Sequence, residues 1–471
     1  MRKLLPFTLL AVGLLAVGLL GCGGVSGPPA PRLIEGGGVG DGKISSALNV
    51  YVTDEDSRAV LSGASVRVGE SSSATPCTVL TDSTGLAKFV TADCASLKGP
   101  ATITVSIAGY SPVTWIGINA ANVTIPLKAT VPVAVDTATA TGTISGWASL
   151  PVPPANHQTL ALVSYSQTND LGDRRNEIAQ GMRNVNINGT NYPIQSNICV
   201  INAAVSDCAW TLTTRTGQQI HYAVIVDQYD NLTPDVKTDD TYTVTGYAIK
   251  TGLDFAKGDM KTGETLTMIA DADMQTFTAA FPSLPSGMDF MGAFPALELG
   301  AEGRIPFTTP ALDMTHTSTR VPKLTGALAG KAYSLIAQAQ DATDVKQPAT
   351  LAWLHDVDVN STVAVSNWLP PPSNISVLSG TYAFSGVTGA TVHGGEIQNM
   401  LGERVWGITI FDGPTSFTLP GLSPDPIPVG TVNFQVQALQ IPGTDIGNFK
   451  IDDIKQKITA ISTDVFTFTH Q

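Results

Sequence analysis

A chain of 471 residues with 39 acidic and 26 basic side chains carries a formal net charge of −13. Nucleic-acid phosphates are gripped by clustered Lys and Arg, so this balance argues against a nucleic-acid partner. The length allows several domains, and after residue 22 no apolar run approaches the roughly 20 residues a membrane-crossing helix needs.

The chain opens on Arg2-Lys3, continues in an apolar run from Leu4 and ends that run at Leu19-Leu20-Gly21-Cys22. A charged start, an apolar middle and a small residue before the cut are the three parts of an export signal. Pro6 and three glycines within the run argue against a transmembrane helix. Leu19-Leu20-Gly21-Cys22 resembles the lipobox of bacterial lipoprotein signal peptides. The resemblance implies that residues 1–21 are removed, that Cys22 is acylated on its thiol and new amino group (palmitate is one such acyl group), and that the protein is held to a membrane of the cell envelope. In enterobacterial lipoproteins an Asp after the cysteine favours the inner membrane; Gly23 stands there, which leans towards the outer membrane. Stable anchoring takes at least two lipid signals, which several acyl chains on one cysteine supply. Removal of Arg2 and Lys3 takes the net charge from −13 to −15. That acidity serves solubility.

Residues 22–44 are rich in Gly and Pro and read as a flexible stalk. From Leu48 the pattern has period two: Leu48, Val50 and Val52; Val66 and Val68; Ile103, Val105 and Ile107; Val123, Ile125 and Leu127. Such alternation marks half-buried strands, and Gly, Asp, Ser and Pro clusters supply the turns. Residues 45–128 therefore form a small antiparallel sandwich. Leu61-Ser62-Gly63-Ala64-Ser65-Val66, Thr81-Asp82-Ser83-Thr84-Gly85-Leu86-Ala87-Lys88-Phe89 and Ala108-Gly109-Tyr110 resemble the carboxypeptidase regulatory-like family, a transthyretin-like β-sandwich. The resemblance covers under a fifth of the chain. It implies a fold and an extracytoplasmic setting rather than a reaction, because the module is an accessory beside enzymes, receptors and adhesins. Gly85 is expected to take a positive φ, and Phe89 and Tyr110 to face the core.

Besides Cys22 the chain has Cys77, Cys94, Cys199 and Cys208, an even number in an exported protein, which favours disulfides. Three pairings are open. The local pairs Cys77–Cys94 and Cys199–Cys208 are preferred, because each brackets a predicted hairpin, at Thr81–Gly85 and at Asn202-Ala203-Ala204 respectively. No C-x-x-C and no nearby histidine pair supports zinc.

Residues 129–142, rich in Ala, Thr, Val and Pro, read as a second linker. Beyond it the β pattern continues through Phe277/Ala279/Phe281, Trp406/Ile408/Ile410 and Val432/Phe434/Val436/Ala438. Proline clusters at 151–154, 282–285 and 370–372 punctuate it. Boundaries near 268 and 375 divide this part into a β-rich domain, 143–268, and two sandwiches, 269–375 and 376–471. Asp173–Val185 lacks a sustained apolar face, so helix and non-helix are both open there. The fold class is all-β, with several tandem antiparallel β-sandwich domains.

No catalytic motif stands out. The histidines (157, 221, 316, 355, 393 and 470) form no H-E-x-x-H, and no G-x-S-x-G elbow occurs. No spacing selects a carboxylate pair or a Ser-His-Asp set. Asp54-Glu55-Asp56, Asp271/Asp273, Asp356/Asp358 and Asp452-Asp453 offer hard oxygens at strand ends. Calcium wants six to eight such ligands, and Asp54 and Asp56 are the first choice, against the local-turn role aspartates commonly take. Trp210, Trp353 and Trp406 read as core, and Trp368 as the tryptophan most open to stacking on a sugar. These features favour a lipid-anchored, non-enzymatic envelope protein that binds an unknown protein or glycan or scaffolds a surface assembly. The alternative is an extracytoplasmic hydrolase carrying the 45–128 module as an accessory.

Overall fold

The computed structural model describes residues 30–471 apart from 70–76, 93, 95–96, 132–135, 168–177, 188, 232–239, 308–310, 344–347 and 412. Cys22, the leader and residues 22–29 of the expected stalk lie outside the described residues. The fold is all-β. No described helix is long and apolar enough to cross a membrane.

Residues 45–128 contribute to two facing sheets. One has five strands in the order Phe449–Lys450, Gly38–Gly40, Asn122–Leu127, Ala47–Asp54, Leu86–Val90. Ser65–Val68, Cys77–Leu80, Ala101–Ser106 and Val113–Ile118 face it. Period-two burial follows from the pleat: Leu48, Val50 and Val52 meet Val66, Val68, Ile103 and Val105 in one core. Phe89 is buried in that core, and Tyr110 packs against it half-buried. Gly85 takes φ +76°. The Thr81–Gly85 turn differs from the expected hairpin. The strand before it, Cys77–Leu80, pairs with Ser65–Val68, and the strand after it, Leu86–Val90, pairs with Ala47–Asp54. The turn is thus a corner between sheets, organised by the Asp82 carboxylate, which accepts hydrogen bonds from Thr84 N–H and Leu86 N–H.

Two sequence expectations are corrected by backbone pairing. The glycine-rich segment read as stalk is part of the body from Ile34 to Gly40: Ile34 and Val39 are buried, and Gly38–Gly40 pairs with Asn122–Leu127 on one side and Phe449–Lys450 on the other. Glycine is needed there for close approach, since a Cβ on Gly38 would lie 2.1 Å from the Phe449 carbonyl oxygen. The segment read as linker contains most of strand Thr137–Ile144, which pairs with Trp210–Arg215 and Met260–Met268. Its Thr-Ala alternation buries Ala138 and Ala140. In both cases small side chains, which resemble linker composition, serve close strand packing.

The second strand group is an eight-stranded sheet from Thr137–Ile144 to Met260–Met268, curled over a core of Tyr165, Trp210, Leu212, Ala223 and Leu253. Its outer face, with Ile220, Tyr222, Val224 and Tyr247, packs on Phe277, Phe307 and Tyr333 of the following strands. Within the region open between helix and loop, Met182–Ile187 is a strand paired with Thr190–Gln195; residues 173–177 lie outside the described residues. The one α-helix among the described residues is Ile451–Lys457.

A twelve-stranded sheet ties the groups together. It runs from Arg304–Pro306 through Ala460–His470, Gly430–Gln440, Val392–Gln398 and Arg404–Ile410 to Val113–Ile118 and Cys77–Leu80. The join to the first sandwich is the parallel pairing of Arg404–Ile410 with Val113–Ile118. Successive sandwiches therefore share a sheet, and Ile336 and Trp353 extend the first core towards the middle of the chain.

Candidate ligand-binding cleft

Where the long sheet passes between the first sandwich and the middle strands, it leaves a cleft of about 890 Å³, within the size range of small-molecule and cofactor sites. Its floor is one face of strands Val392–Gln398, Arg404–Ile410 and Gly430–Gln440. Alternation sends Ile397, Trp406, Ile408, Val432, Phe434 and Val436 into the core on the other face. The cleft face then carries Gly394, Glu396, Gly407, Thr409 and Gln437. The register aligns these in rows. Gln437 lies opposite Gly394, Gly394 opposite Thr409, and Thr409 opposite Trp115. The next row is Gln435, Glu396, Gly407 and Val113.

The loop after strand Ala47–Asp54 provides one wall, through Glu55, Asp56 and Arg58. Asp54 builds this loop. Its Oδ1 accepts hydrogen bonds from Asp56 N–H (3.0 Å), Ser57 N–H (2.7 Å) and the Ser57 hydroxyl (2.8 Å). Burial works against its charge, but the bonds from Ser57, Tyr110 and Asp56 outweigh it and hold the carboxyl below its usual range. Gln167, Arg215, Gln218 and Ala301 form the facing wall. The apolar end is closed by Phe449, Ile451 and Ile454.

The charges are largely paired across the walls. Arg404 Nη2 donates to Glu55 Oε2 at 2.6 Å, and its Nη1 lies 3.7 Å from Glu396 Oε1. Arg58 bonds Asp452 at 2.5 Å. The described lining contains neither histidine nor serine and carries four carboxylates, those of Glu55, Asp56, Glu396 and Asp452.

Asp54 is thus engaged in its own turn, and Asp56 lies in the cleft wall. Among the described residues no group of three or more His, Cys, Asp or Glu is placed to hold a metal ion. Cys77 is bonded to Cys94, and Cys199 to Cys208. The second bridge brackets the expected hairpin, in which Asn202 Oδ1 accepts from Ala204 and Val205 N–H; the first joins strand Cys77–Leu80 to the segment that follows strand Leu86–Val90 of the other sheet. Trp210, Trp353 and Trp406 are buried, and Trp368 is half-buried against the middle core. Arg404, Gln437 and Gly394 were not singled out by sequence reasoning. The available signal was Gly394-Gly395 inside an otherwise strand-forming stretch, since glycine in a strand interior marks a bulge or a close approach.

No protein-family model matches this chain, and no curated protein matches it. Among solved structures it is similar to the Bacillus anthracis TIE protein, at 10% identity over 68% of this chain and 49% of that one, with a TM-score of 0.14. It therefore spans about half the length of that relative. It is also similar to a tetra-tandem repeat from the extending region of a large adhesion protein (11% identity, 90% of this chain and 100% of that one, TM-score 0.14). A third similar structure holds two B repeat units of the collagen-binding protein of Staphylococcus aureus (12% identity, 90% of this chain and 99% of that one, TM-score 0.13).

Proposed function

We propose that this protein is a lipid-tethered, non-enzymatic component of the bacterial cell envelope that presents its cleft to an extracytoplasmic ligand. The observation that carries the reading is a cleft lined by widely separated parts of the chain, in a body whose first buried residue, Ile34, stands twelve positions after the lipobox-like cysteine. The twelve residue steps from Cys22 to Ile34 can span at most about 43 Å when fully extended, so acyl chains on Cys22 would keep the body within that distance of the bilayer surface. The pairing of Gly38–Gly40 with Asn122–Leu127 and Phe449–Lys450, which bring Pro126 and Phe449 to the cleft, would carry that tether directly into the cleft-bearing body.

The test is metabolic labelling with radioactive palmitate of the full chain and of Cys22→Ser in a bacterial host, followed by membrane fractionation. The expected result is a labelled, membrane-bound wild type and an unlabelled variant that is released or retained as uncleaved precursor. An unlabelled wild type in the soluble fraction would remove the tether.

A further inference from the structure

Gly394 has no explanation in packing or backbone geometry. Its φ is not in the left-handed region, and a Cβ built on it would meet only the Ile408 carbonyl oxygen at 3.6 Å and a Leu439 methyl at 4.0 Å, ordinary contacts. Its neighbours differ. A Cβ on Gly395 would press on the Gln435 carbonyl oxygen and the Phe434 ring at 3.0 Å, and one on Gly407 on Val113 at 3.3 Å. Glycine in a strand interior costs stability, so one that packing does not require points to a close approach by something else. The notch it leaves lies between Gln437 and Thr409 in the cleft floor, and neither of those side chains has a hydrogen-bond partner among the described residues.

We infer that the notch over Gly394 is a binding site for a neutral polyhydroxylated chain, a glycan segment, with the Gln437 amide and the Thr409 hydroxyl bonding its hydroxyls. This rests on the cleft reading above and names its ligand class. Two observations favour a polyol over other occupants. The floor strands lie in the interior of the twelve-stranded sheet, each paired on both sides, so their main-chain groups are already used and an extended peptide cannot add to them as a further strand. Of the three cleft arginines, Arg404 and Arg58 are paired with Glu55, Glu396 and Asp452, and Arg215 is engaged as well, so an ionic ligand would have to compete with existing partners. An amide and a hydroxyl donate and accept at once, which is what sugar hydroxyls require.

The experiment is calorimetric titration of the full chain, solubilised in a detergent without a sugar headgroup, with chitotetraose, cellotetraose, maltotetraose and mannotetraose, and with a pool of uncharged hexapeptides. The same titrations are run on Gly394→Val, Gly394→Ala and Gln437→Leu. At least one tetrasaccharide is expected to bind one to one, weakened about tenfold or more by Gly394→Val and by Gln437→Leu. The urea midpoint of Gly394→Ala should be equal to or above that of wild type, which a merely structural glycine would not allow. The inference is overturned if no tetrasaccharide binds, if only the peptides bind, or if both floor variants bind the sugar as wild type does. Any of these outcomes leaves palmitate labelling of Cys22 unaffected, so the tether reading fails or stands separately.

Discussion

Trp406 donates its indole N–H to the Thr114 hydroxyl oxygen at 3.0 Å, across the parallel pairing that joins the C-terminal strands to the first sandwich. Thr114 is fully buried, and its hydroxyl also lies 3.0 Å from that of Thr104. Thr114→Val keeps the shape and removes the oxygen, leaving a buried indole donor unmatched. The expected loss is about 1–3 kcal/mol, read as a lower urea midpoint. Because the strands on both sides share this sheet, the loss should appear in one cooperative transition. A separate early transition of the first sandwich would show that the join does not couple the two parts.

His221 predicts a pH dependence. It is fully buried between Phe255 and Trp210, and neither ring nitrogen has a hydrogen-bond partner. Burial, helped by the nearby Lys261 charge, pushes its pKa down to about 3. The unfolded chain takes up this proton near pH 6.5 and the folded chain does not, so stability is fully present above about pH 6.5 and is lost as pH falls towards 3. At pH 5 the loss from this group is about 2 kcal/mol. His221→Phe should flatten the stability profile between pH 6.5 and 4 by about one proton's slope. An unchanged slope would place the dependence on other groups.

The Cys77–Cys94 bridge joins an edge strand of the long sheet to the segment just after an edge strand of the five-stranded sheet, across a sequence separation of 17. Replacing both cysteines by Ala should cost about 3 kcal/mol in the chain-entropy account. The Cys199–Cys208 bridge, with a separation of 9, closes a smaller loop and should cost less when removed. Mass mapping of unreduced peptides should find the two pairs as joined here; free thiols at these positions would remove the premise.

Much of the fold was legible in residues whose side-chain pattern is local. Val432, Phe434, Val436 and Ala438 alternate in the sequence and are all buried. Asn202 announces its own turn through its side chain. The first sandwich could be read for the same reason. What was not legible depends on partners distant in the chain. Gly36–Gly40 resembles a flexible linker in composition, yet its glycines allow the backbone of residues 449–450 to approach, more than 400 positions away. The Thr81–Gly85 corner has hairpin chemistry, and only the pairing of each flanking strand elsewhere distinguishes it. The cleft was hidden for a related reason: Glu55 and Arg404 are 349 positions apart, and a row such as Gln437, Gly394, Thr409 and Trp115 exists only once four strands are in register.

The entry of the chain into the body gives a last test. Gly38 has φ +137°, pairs with Thr124 and Lys450 on its two sides, and a Cβ there would lie 2.1 Å from a carbonyl oxygen. Gly42, just beyond the strand, has φ +78° with nothing within 4 Å of its would-be Cβ. Gly42→Ala therefore brings only backbone strain, about 1 kcal/mol. Gly38→Ala brings a backbone clash as well, which can be relieved only by parting Gly38–Gly40 from Phe449–Lys450. The expected result is a greater loss of stability for Gly38→Ala than for Gly42→Ala, and new sites of limited proteolysis between residues 30 and 44 in the former alone. Equal behaviour of the two variants would show that the segment does not need its pairing to stay packed.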